Sequence, residues 1–280
     1  MGAQVAPERT HSIRKIKLFS ERIYDKTNMA DFNKQVALVT GAASGIGRAT
    51  ALAFARQGAE VIVSDVNAEG GQETVALIQE AGGKATFIPC NVADPDEVEA
   101  LIRQTVETYG RLDIGINNAG IGGTFAKFID QTLDDWNRML AVNLSGVFYC
   151  MQAEIRQMLA QGGGKIVNIS SIAGVRGMPN GAPYSAAKHG VLGLTKTAAL
   201  EYVRQNIRVN AVCPVYTHSG MVHELMNMAP GMEERMRRVI PIGRFGQPEE
   251  IAQAILWLCS DENAFCTGQA IQMDGGLTAG

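Results

Sequence analysis

Short runs rich in β-branched residues alternate with longer stretches of helical periodicity from Val36 onward. This alternation is typical of βαβ units, in which parallel strands are joined by helices that cover the faces of one sheet. We therefore expect an α/β fold with a single doubly wound domain, a seven-stranded parallel sheet and helices on both faces. The predicted strands are Val36 to Thr40, Glu60 to Ser64, Ala85 to Pro89, Asp113 to Ile116, Lys165 to Ile169, Ile207 to Val212 and Ala270 to Met273.

The segments between the strands carry ordinary helix-end signals. Asp94 and Pro95 form a cap and a first-turn proline. Gly58 and Gly110 close helices before the next strand, as C-terminal glycines do. No repeat or linker of biased composition divides the chain. We expect one domain over 31–280, preceded by a tail over 1–30.

The first 29 residues differ in kind from the rest. They contain six Lys or Arg residues and three acidic residues, with no long apolar stripe. One interpretation is a tail outside the fold, or a start upstream of the true one, since Met29 stands close before the first strand. The other is a basic targeting leader, although such leaders are poor in acids. We favour the first interpretation.

Composition indicates a protein that acts on small molecules. The formal net charge is −3, which offers no positive field for nucleic acid or an anionic membrane. No apolar run reaches the roughly 18 residues that span a membrane. The five cysteines are scattered without any CxxC spacing, so they predict neither a disulfide framework nor a zinc site. The expected location is the reducing cytoplasm, without a bound metal.

A glycine-rich turn follows the first predicted strand and opens a helix, which is the arrangement that cradles a dinucleotide pyrophosphate. A plain tight turn is the simpler alternative for such a motif. The next strand is followed by Asp65, where a carboxylate accepts hydrogen bonds from the adenosine ribose hydroxyls of NAD, or merely caps the following helix. The predicted pyrophosphate-binding residues are Gly41, Ser44, Gly45, Ile46 and Gly47.

Tyr184 and Lys188 are four residues apart in a helical stretch, so they share one helix face. A Tyr and a Lys at this spacing also occur together by chance. Ser171 closes the fifth strand, thirteen residues before the tyrosine, and Asn143 lies in the helix before that strand. The order Asn, Ser, Tyr, Lys makes a chance match a poor explanation.

Together these motifs resemble the short-chain dehydrogenase/reductase family, with its TGxxxGxG turn, the NNAG motif at 117–120 and the YxxxK motif at 184–188. The resemblance runs from about residue 31 to 280. It implies a catalytic tetrad of Asn143, Ser171, Tyr184 and Lys188. Further cofactor contacts implied by the resemblance are Asn91, Val92, Asn118, Ala119, Gly120, Tyr184, Lys188, Pro214, Thr217 and Ser219.

The tetrad suits hydride transfer between a nicotinamide and a secondary alcohol or ketone, because the substrate oxygen must gain or lose a proton. A free tyrosine has a pKa of about 10, and a nearby ammonium lowers it, so we expect Tyr184 to be the general acid and base with Lys188 as its tuner. Ser171 is expected to hold the substrate oxygen. The resemblance implies that Lys188 also binds the nicotinamide ribose and that Asn143 holds a water.

Two departures from the family pattern are visible. Asn91 stands where relatives have Asp, which preserves an acceptor, and Val215 stands where they have Gly. A valine there is expected to shift the loop slightly without abolishing cofactor binding. Ser44 occupies a position that is often basic in users of NADP, so NAD is the expected cofactor.

A substrate lid is expected over 215–240, where five methionines occur at near-helical spacing. Such methionines pack more often than they bind, but an apolar lid favours an apolar or alicyclic alcohol. A 3-oxoacyl-(acyl-carrier-protein) reductase and a sugar dehydrogenase remain alternatives. A non-catalytic NAD-binding protein is disfavoured because the tetrad is complete, and an epimerase or dehydratase lacks any supporting signal. The resemblance also implies a homotetramer, paired through helices predicted at Leu133 to Leu159 and Ala182 to Val203.

Overall fold

A computed structural model describes residues 31–226 and 229–279 of the chain. Seven strands form one parallel sheet in the order β3-β2-β1-β4-β5-β6-β7. They are β1 Val36–Thr40, β2 Glu60–Asp65, β3 Lys84–Pro89, β4 Ile114–Asn117, β5 Gly164–Ile169, β6 Ile207–Pro214 and β7 Ala270–Met273. The doubly wound α/β prediction is confirmed, and each strand lies within two residues of its predicted bounds. The expected tail over 1–30 lies outside the described residues.

Ten helices occur within the described part of the chain, apart from short 3₁₀ turns. They are α1 Gly45–Arg56, α2 Ala68–Glu80, α3 Pro95–Tyr109, α4 Leu133–Leu140, a π-helix at Ala141–Ser145, α5 Gly146–Gln161, α6 Ala182–Tyr202, α7 Gly220–Met226, α8 Met232–Arg238 and α9 Pro248–Cys259. The predicted cap holds, since the Asp94 carboxylate accepts from the backbone of Asp96 and Glu97. None of the described helices is long and apolar enough to cross a membrane.

The core has two halves because side chains alternate across the sheet. On one face, Val39, Val63 and Ile116 pack with residues of α1 and α9, including the fully buried Phe54. On the other face, Leu38 packs in a cluster built largely from α3, α5 and α6. Strands buried on both faces read as continuous apolar runs, which is why they are conspicuous in the sequence.

One predicted strand residue lies outside the sheet. Asp113 precedes β4, and its carboxylate accepts from the Val36 amide at 2.9 Å and from the Arg111 guanidinium at 2.6 and 2.7 Å. A charged side chain so well buried requires such partners. Asp113 therefore stands just before the first residue of β4 and is held there by Val36 and Arg111.

The strand order reverses between β1 and β4, which lie side by side although they are not consecutive in the chain. Open α/β sheets bind their ligands beyond the carboxyl ends of the strands at such a switch point. The loops that follow β1, β2, β4, β5 and β6 therefore meet at one edge of the sheet. The residues predicted to act in binding or catalysis lie on these loops or on the helices that they enter, except for Asp65 and Pro214, which end β2 and β6, and Asn91 and Val92, which follow β3.

Candidate active site

The glycine-rich turn packs directly against the loop after β4. Gly41 and Gly45 have φ of +64° and +52°, in the left-handed region that favours glycine. A Cβ on Gly41 would lie 2.7 Å from the Cα of Ala119, and one on Gly47 would lie 2.1 Å from the Gly41 carbonyl oxygen. The turn accordingly requires glycine at these positions.

The start of α1 is suited to an anion. Ser44 is the N-cap, but its side chain makes no capping hydrogen bond. First-turn amides of a helix lack partners within the helix, and the helix dipole adds positive potential there. The residues Ser44, Gly45 and Ile46 line the main cavity of the protein.

Asp65 ends β2 and lines the same cavity. Its carboxylate accepts from the amide of Ala43 at 3.0 Å and from the amide of Asn67 at 2.9 Å. The cap of α2 is Asn67, whose side chain accepts from Gly70, so the alternative of Asp65 as a helix cap is wrong. A carboxylate has about four acceptor positions, which leaves two for a ligand.

Asn118 locks the two loops at the switch point together. Its amide nitrogen donates to the carbonyls of Thr40 at 2.9 Å and Gly41 at 3.0 Å. The Thr40 hydroxyl in turn accepts from the amides of Asn118 and Ala119. The cavity wall next to the glycine-rich turn is formed by Asn118, Ala119 and Gly120.

Asn91 and Val92 border the cavity beyond β3, as does the buried thiol of Cys90, which the sequence did not single out. The Asn91 side-chain oxygen accepts from the amide of Ala93 at 3.1 Å. The acceptor that replaces the aspartate of the family pattern therefore holds its own loop.

Asn143 lies in the π-helix between α4 and α5, where the sequence predicts one uninterrupted helix. Its side chain accepts from the amide of Ile121 and donates to the carbonyl of the same residue, both at 2.8 Å. It also donates to the Met139 sulfur at 2.8 Å. A π-bulge places an extra residue in the turn and is frequent at functional sites.

Ser171 follows β5 and Tyr184 lies in the first turn of α6, with Lys188 one turn later. The Ser171 oxygen accepts from the amide of Ala173 at 3.1 Å, and a hydrogen bond between the Ser171 and Tyr184 side chains links the two hydroxyls. The Lys188 ammonium donates to the Ile169 carbonyl at 2.8 Å and lies 5.7 Å from the centre of the Tyr184 ring.

Burial shifts the pKa values of Tyr184 and Lys188 in opposite directions. Burial raises the pKa of Tyr184 above its ordinary value, and the Ser171 hydroxyl opposes the rise. Burial lowers the pKa of Lys188 to about 8. The expected lowering of the tyrosine pKa is therefore wrong. The ammonium is directed to the Ile169 carbonyl, so desolvation of the phenolate prevails.

The loop after β6 continues without a break at the unusual valine. The Val215 amide donates to the Met273 carbonyl at 3.1 Å, and the Val215 carbonyl accepts from the Thr217 hydroxyl at 3.0 Å. Val215 is buried in a small cluster with Val222 and Met236 of the lid segment. Of the lid methionines noted above, Met228 and the side chain of Met221 lie outside what the structure describes.

A cavity of about 610 Å³ unites these groups. It is lined by every predicted site residue except Gly47, which lies behind the glycine-rich turn. Within the described residues, no cluster of three or more His, Cys, Asp or Glu could hold a metal. The predicted residues at the cavity are Gly41, Ser44, Gly45, Ile46, Asp65, Asn91, Val92, Asn118, Ala119, Gly120, Asn143, Ser171, Tyr184, Lys188, Pro214, Thr217 and Ser219.

The cavity walls also contain residues that no motif revealed, among them Phe125, Ile172, Met178, Tyr216 and Leu225. They come from the three connections that follow β4, β5 and β6. Their side chains are ordinary core types, so only the fold reveals that they line a cavity.

A sheet of this order with a glycine-rich turn at its switch point, and a Ser-Tyr-Lys group in the same cavity, defines a nicotinamide-dependent oxidoreductase. A family profile described as enoyl-(acyl carrier protein) reductase matches residues 41–278. Curated relatives agree with it. The chain belongs to the short-chain dehydrogenase/reductase family and is an oxidoreductase that acts on alcohol or ketone substrates.

Three relatives illustrate the range of similarity. A cyclohexanol dehydrogenase of Acinetobacter sp. is 46% identical over 89% of this chain and 96% of its own length. A 3-oxoacyl-(acyl-carrier-protein) reductase of Thermotoga maritima is 44% identical over 87% of this chain and 97% of its own. A 2,5-dichloro-2,5-cyclohexadiene-1,4-diol dehydrogenase of Sphingobium indicum is 40% identical over 90% and 100%.

Solved structures are similar to this fold over nearly their whole length. A levodione reductase has a TM-score of 0.86 and 35% identity, covering 89% of this chain and 99% of its own. A structure from Agrobacterium tumefaciens with bound NADP has a TM-score of 0.82 and 35% identity, covering 89% and 98%. The family fold therefore accommodates NADP, and the cofactor choice of this chain depends on its own residues.

Proposed function

We propose that this protein is an NAD(H)-dependent dehydrogenase that interconverts an apolar, alicyclic secondary alcohol and its ketone, with Tyr184 as general acid and base. The observation that carries the proposal is the single cavity. It extends from the Asp65 carboxylate to the group formed by Ser171, Tyr184 and Lys188, and apolar side chains form much of the remaining wall.

The cavity residues fit a nicotinamide dinucleotide. The glycines of the turn leave no room for a Cβ, so backbone amides border the site directly. The uncapped start of α1 suits a pyrophosphate, and the free acceptor positions of Asp65 suit ribose hydroxyls. When bound, the nicotinamide supplies or accepts the hydride.

Ser171 and Tyr184 would move the proton that accompanies the hydride. In ketone reduction, the Tyr184 hydroxyl gives its proton to the carbonyl oxygen, and in alcohol oxidation the phenolate takes it back. The Ser171 hydroxyl, which meets the Tyr184 hydroxyl in this structure, would donate to the same oxygen. The raised pKa of Tyr184 keeps the phenol protonated, as a proton donor for ketone reduction must be.

Lys188 and Asn143 would support the tyrosine. Lys188 is held near Tyr184 by the Ile169 carbonyl. Its charge would offset part of the desolvation cost of the phenolate that forms when the proton leaves, without bringing the pKa of Tyr184 below its ordinary value. The side-chain amide of Asn143 is engaged by Ile121. A water that links Lys188 to solvent would therefore bind Asn143 through its backbone carbonyl.

The preference for NAD follows from charge. Asp65 would face the additional phosphate of NADP, and Arg48 is not available to neutralise it. That guanidinium donates to Glu73 at 2.5 Å, to Thr74 at 3.0 Å and to the Ala43 carbonyl at 2.6 Å. The residues that line the cavity at this end supply no other cation.

Two observations support the proposed substrate class: the apolar side chains that line the cavity, and the substrates named for similar proteins. Two of the relatives and one of the solved structures are described as acting on cyclohexanol, a cyclohexadiene diol or levodione. Apolar side chains such as Ile172, Val222 and Leu225 bury a hydrocarbon ring well. An acyl-carrier-protein reductase remains the second candidate, because one such enzyme is 44% identical.

The test is an assay of NADH formation with cyclohexanol, using the wild-type protein and Tyr184→Phe. The wild type should oxidise the alcohol, and the variant should lose roughly 10²- to 10⁴-fold in kcat, because it has no proton to exchange. Binding of NADH, measured by fluorescence, should be nearly unchanged. Turnover close to wild type in the variant would exclude Tyr184, and activity confined to acyl thioesters would favour the second candidate.

A further inference from the structure

The substrate part of the cavity is apolar except at one place, which we call the polar corner and which consists of Arg176 and Tyr216. The charged side chains among the described lining residues are those of Asp65, Lys188 and Arg176. The first two have roles in the proposed function. Arg176 does not, and it comes from the loop after the 3₁₀ turn that follows Ser171.

Tyr216 brings an unused hydroxyl into this wall. Its ring is half-buried and packs edge-on against Phe245 at 6.3 Å between ring centres. Its hydroxyl makes no hydrogen bond to another residue within the described parts of the chain. The hydroxyl is therefore available to a bound molecule.

Arg176 lines the same cavity as Tyr216, and its side chain is exposed. Burial raises the pKa of Tyr216 and the charge of Arg176 opposes the rise, so the phenol senses the guanidinium. Over 31–226 and 229–279, no carboxylate forms an ion pair with Arg176. A guanidinium offers five N–H donors and no acceptor, so both members of the polar corner can donate to one oxygen.

We propose that Arg176 and Tyr216 bind a second oxygen of the substrate, carried on the ring apart from the carbonyl that meets Tyr184. The preferred substrates are then cyclic hydroxyketones, diketones or diols. This inference rests on the proposed function and names its substrate class more narrowly. Arg176 is exposed and Tyr216 is half-buried, so the preference comes from the hydrogen bonds that an oxygen gains there and that an analogue without it does not make.

The experiment compares pairs of ketones that differ by a hydroxyl or a methyl group of similar size. The rate of NADH oxidation is measured with 3- and 4-hydroxycyclohexanone, with 3- and 4-methylcyclohexanone and with cyclohexanone itself. We expect kcat/KM to favour at least one hydroxyketone over its methyl counterpart by about tenfold or more, the size of one charge-assisted hydrogen bond.

Variants of Arg176 and Tyr216 test whether the polar corner causes the preference for hydroxyketones. Tyr216→Phe removes only the hydroxyl, and Arg176→Met removes the guanidinium while keeping an apolar stem. Each should reduce the ratio of hydroxyketone to methyl ketone severalfold, and the double variant should bring it within about twofold. Tyr202→Phe and Arg204→Met remove the same groups outside the cavity and should preserve the ratio. The ratio within one variant cancels general losses of activity or stability.

The outcomes separate the two claims. Turnover of the methyl ketones and cyclohexanone without a preference for any hydroxyketone overturns the polar corner and leaves the proposed function in place. A preference that survives the double variant also overturns it. No turnover of any of the five ketones overturns the proposed function, and the inference falls with it.

Discussion

Asp65 shows how one side chain can determine cofactor choice. A second negative group about 4 Å away, in surroundings of effective dielectric near 20, costs up to roughly 4 kcal/mol, and less where solvent enters. Even half of that exceeds the 1.4 kcal/mol or so that corresponds to a tenfold change. We predict a preference for NAD over NADP of roughly tenfold or more in kcat/KM, measured with one alcohol.

Two variants test whether the preference for NAD depends on the charge of Asp65 or on its hydrogen bonds within the loop. Asp65→Ala with Val66→Arg should narrow or reverse the preference, because Val66 is exposed at the cavity and an arginine there would meet the phosphate. Asp65→Asn removes the charge and keeps an acceptor for one of the two amides, Ala43 or Asn67, which donate to different oxygens of the carboxylate. It should narrow the preference for NAD by itself. Equal use of the two cofactors by the wild type would contradict this account.

Residues that act through a motif could be predicted from sequence, and residues that act through the fold could not. Gly41, Ser171 and Tyr184 follow strands or begin helices at fixed spacings, so their meeting point follows from the topology. Arg176 and Tyr216 carry no such pattern. Their juxtaposition depends on how two loops pack, which neither periodicity nor spacing encodes.

Secondary-structure elements likewise divide into those that the sequence predicts and those that it does not. Seven buried strands are conspicuous as apolar runs, but the π-helix at Ala141–Ser145 is not, because one extra residue in a turn hardly alters the apolar pattern over α4 and α5. The prediction that Lys188 lowers the pKa of Tyr184 is wrong for a similar reason. Both residues were placed correctly on one face, while the direction of the ammonium depends on the Ile169 carbonyl.

A buried polar network ties the elements of the site together. The Asn117 amide on β4 donates to Glu154 of α5 and to Asn168 of β5, both at 3.0 Å. Asn168 donates to Thr195 of α6 at 2.9 Å. Burial raises the pKa of Glu154 to about 7, and the hydrogen bond from Asn117 opposes the rise. The carboxyl is therefore largely protonated below neutral pH.

This network predicts a loss of stability at alkaline pH. A carboxyl with a pKa near 7 in the folded state and an ordinary value of 4.5 in the unfolded chain contributes its full stability below about pH 4.5. That contribution falls as the pH rises through 7, by up to about 3 kcal/mol. Glu154→Gln keeps the shape without the charge.

The measurement is the free energy of unfolding by urea between pH 5 and 8.5, at one protein concentration. Relative to wild type, Glu154→Gln should become more stable as the pH rises. Glu80→Gln, at an exposed position at the end of α2, should follow the wild type at every pH. Parallel curves for wild type and Glu154→Gln would show that the buried acid does not titrate in this range.

At the scale of the whole molecule, apolar side chains remain exposed on the helices predicted to pair subunits. The fold itself buries Met139, Val147 and Val191. Leu200 of α6 is 82% exposed and Phe148 of α5 is 44% exposed. Exposed apolar groups of this size are common at interfaces between protein chains.

We predict a homotetramer, with a mass near four times 30.0 kDa in light scattering. Leu200→Glu combined with Phe148→Glu should produce smaller species, because charges would be buried without partners at the interface. Leu77→Glu adds the same charge on α2, outside the pairing helices, and should leave the mass unchanged. A wild-type monomer at micromolar concentration would refute the prediction.

The buried carboxyl of Glu154 also limits how this sequence can diverge. A Cβ on Gly115 would lie 2.3 Å from one carboxyl oxygen of Glu154 and 2.8 Å from the other. Gly115→Ala alone should therefore cost about 2 kcal/mol, whereas the cost should largely disappear beside Glu154→Val, giving an interaction energy of about 1 to 3 kcal/mol in urea unfolding. Additive effects would contradict this. An evolving lineage could then acquire alanine at 115 only after it had lost the acid at 154, so the order of the two substitutions is fixed by space rather than by selection on activity.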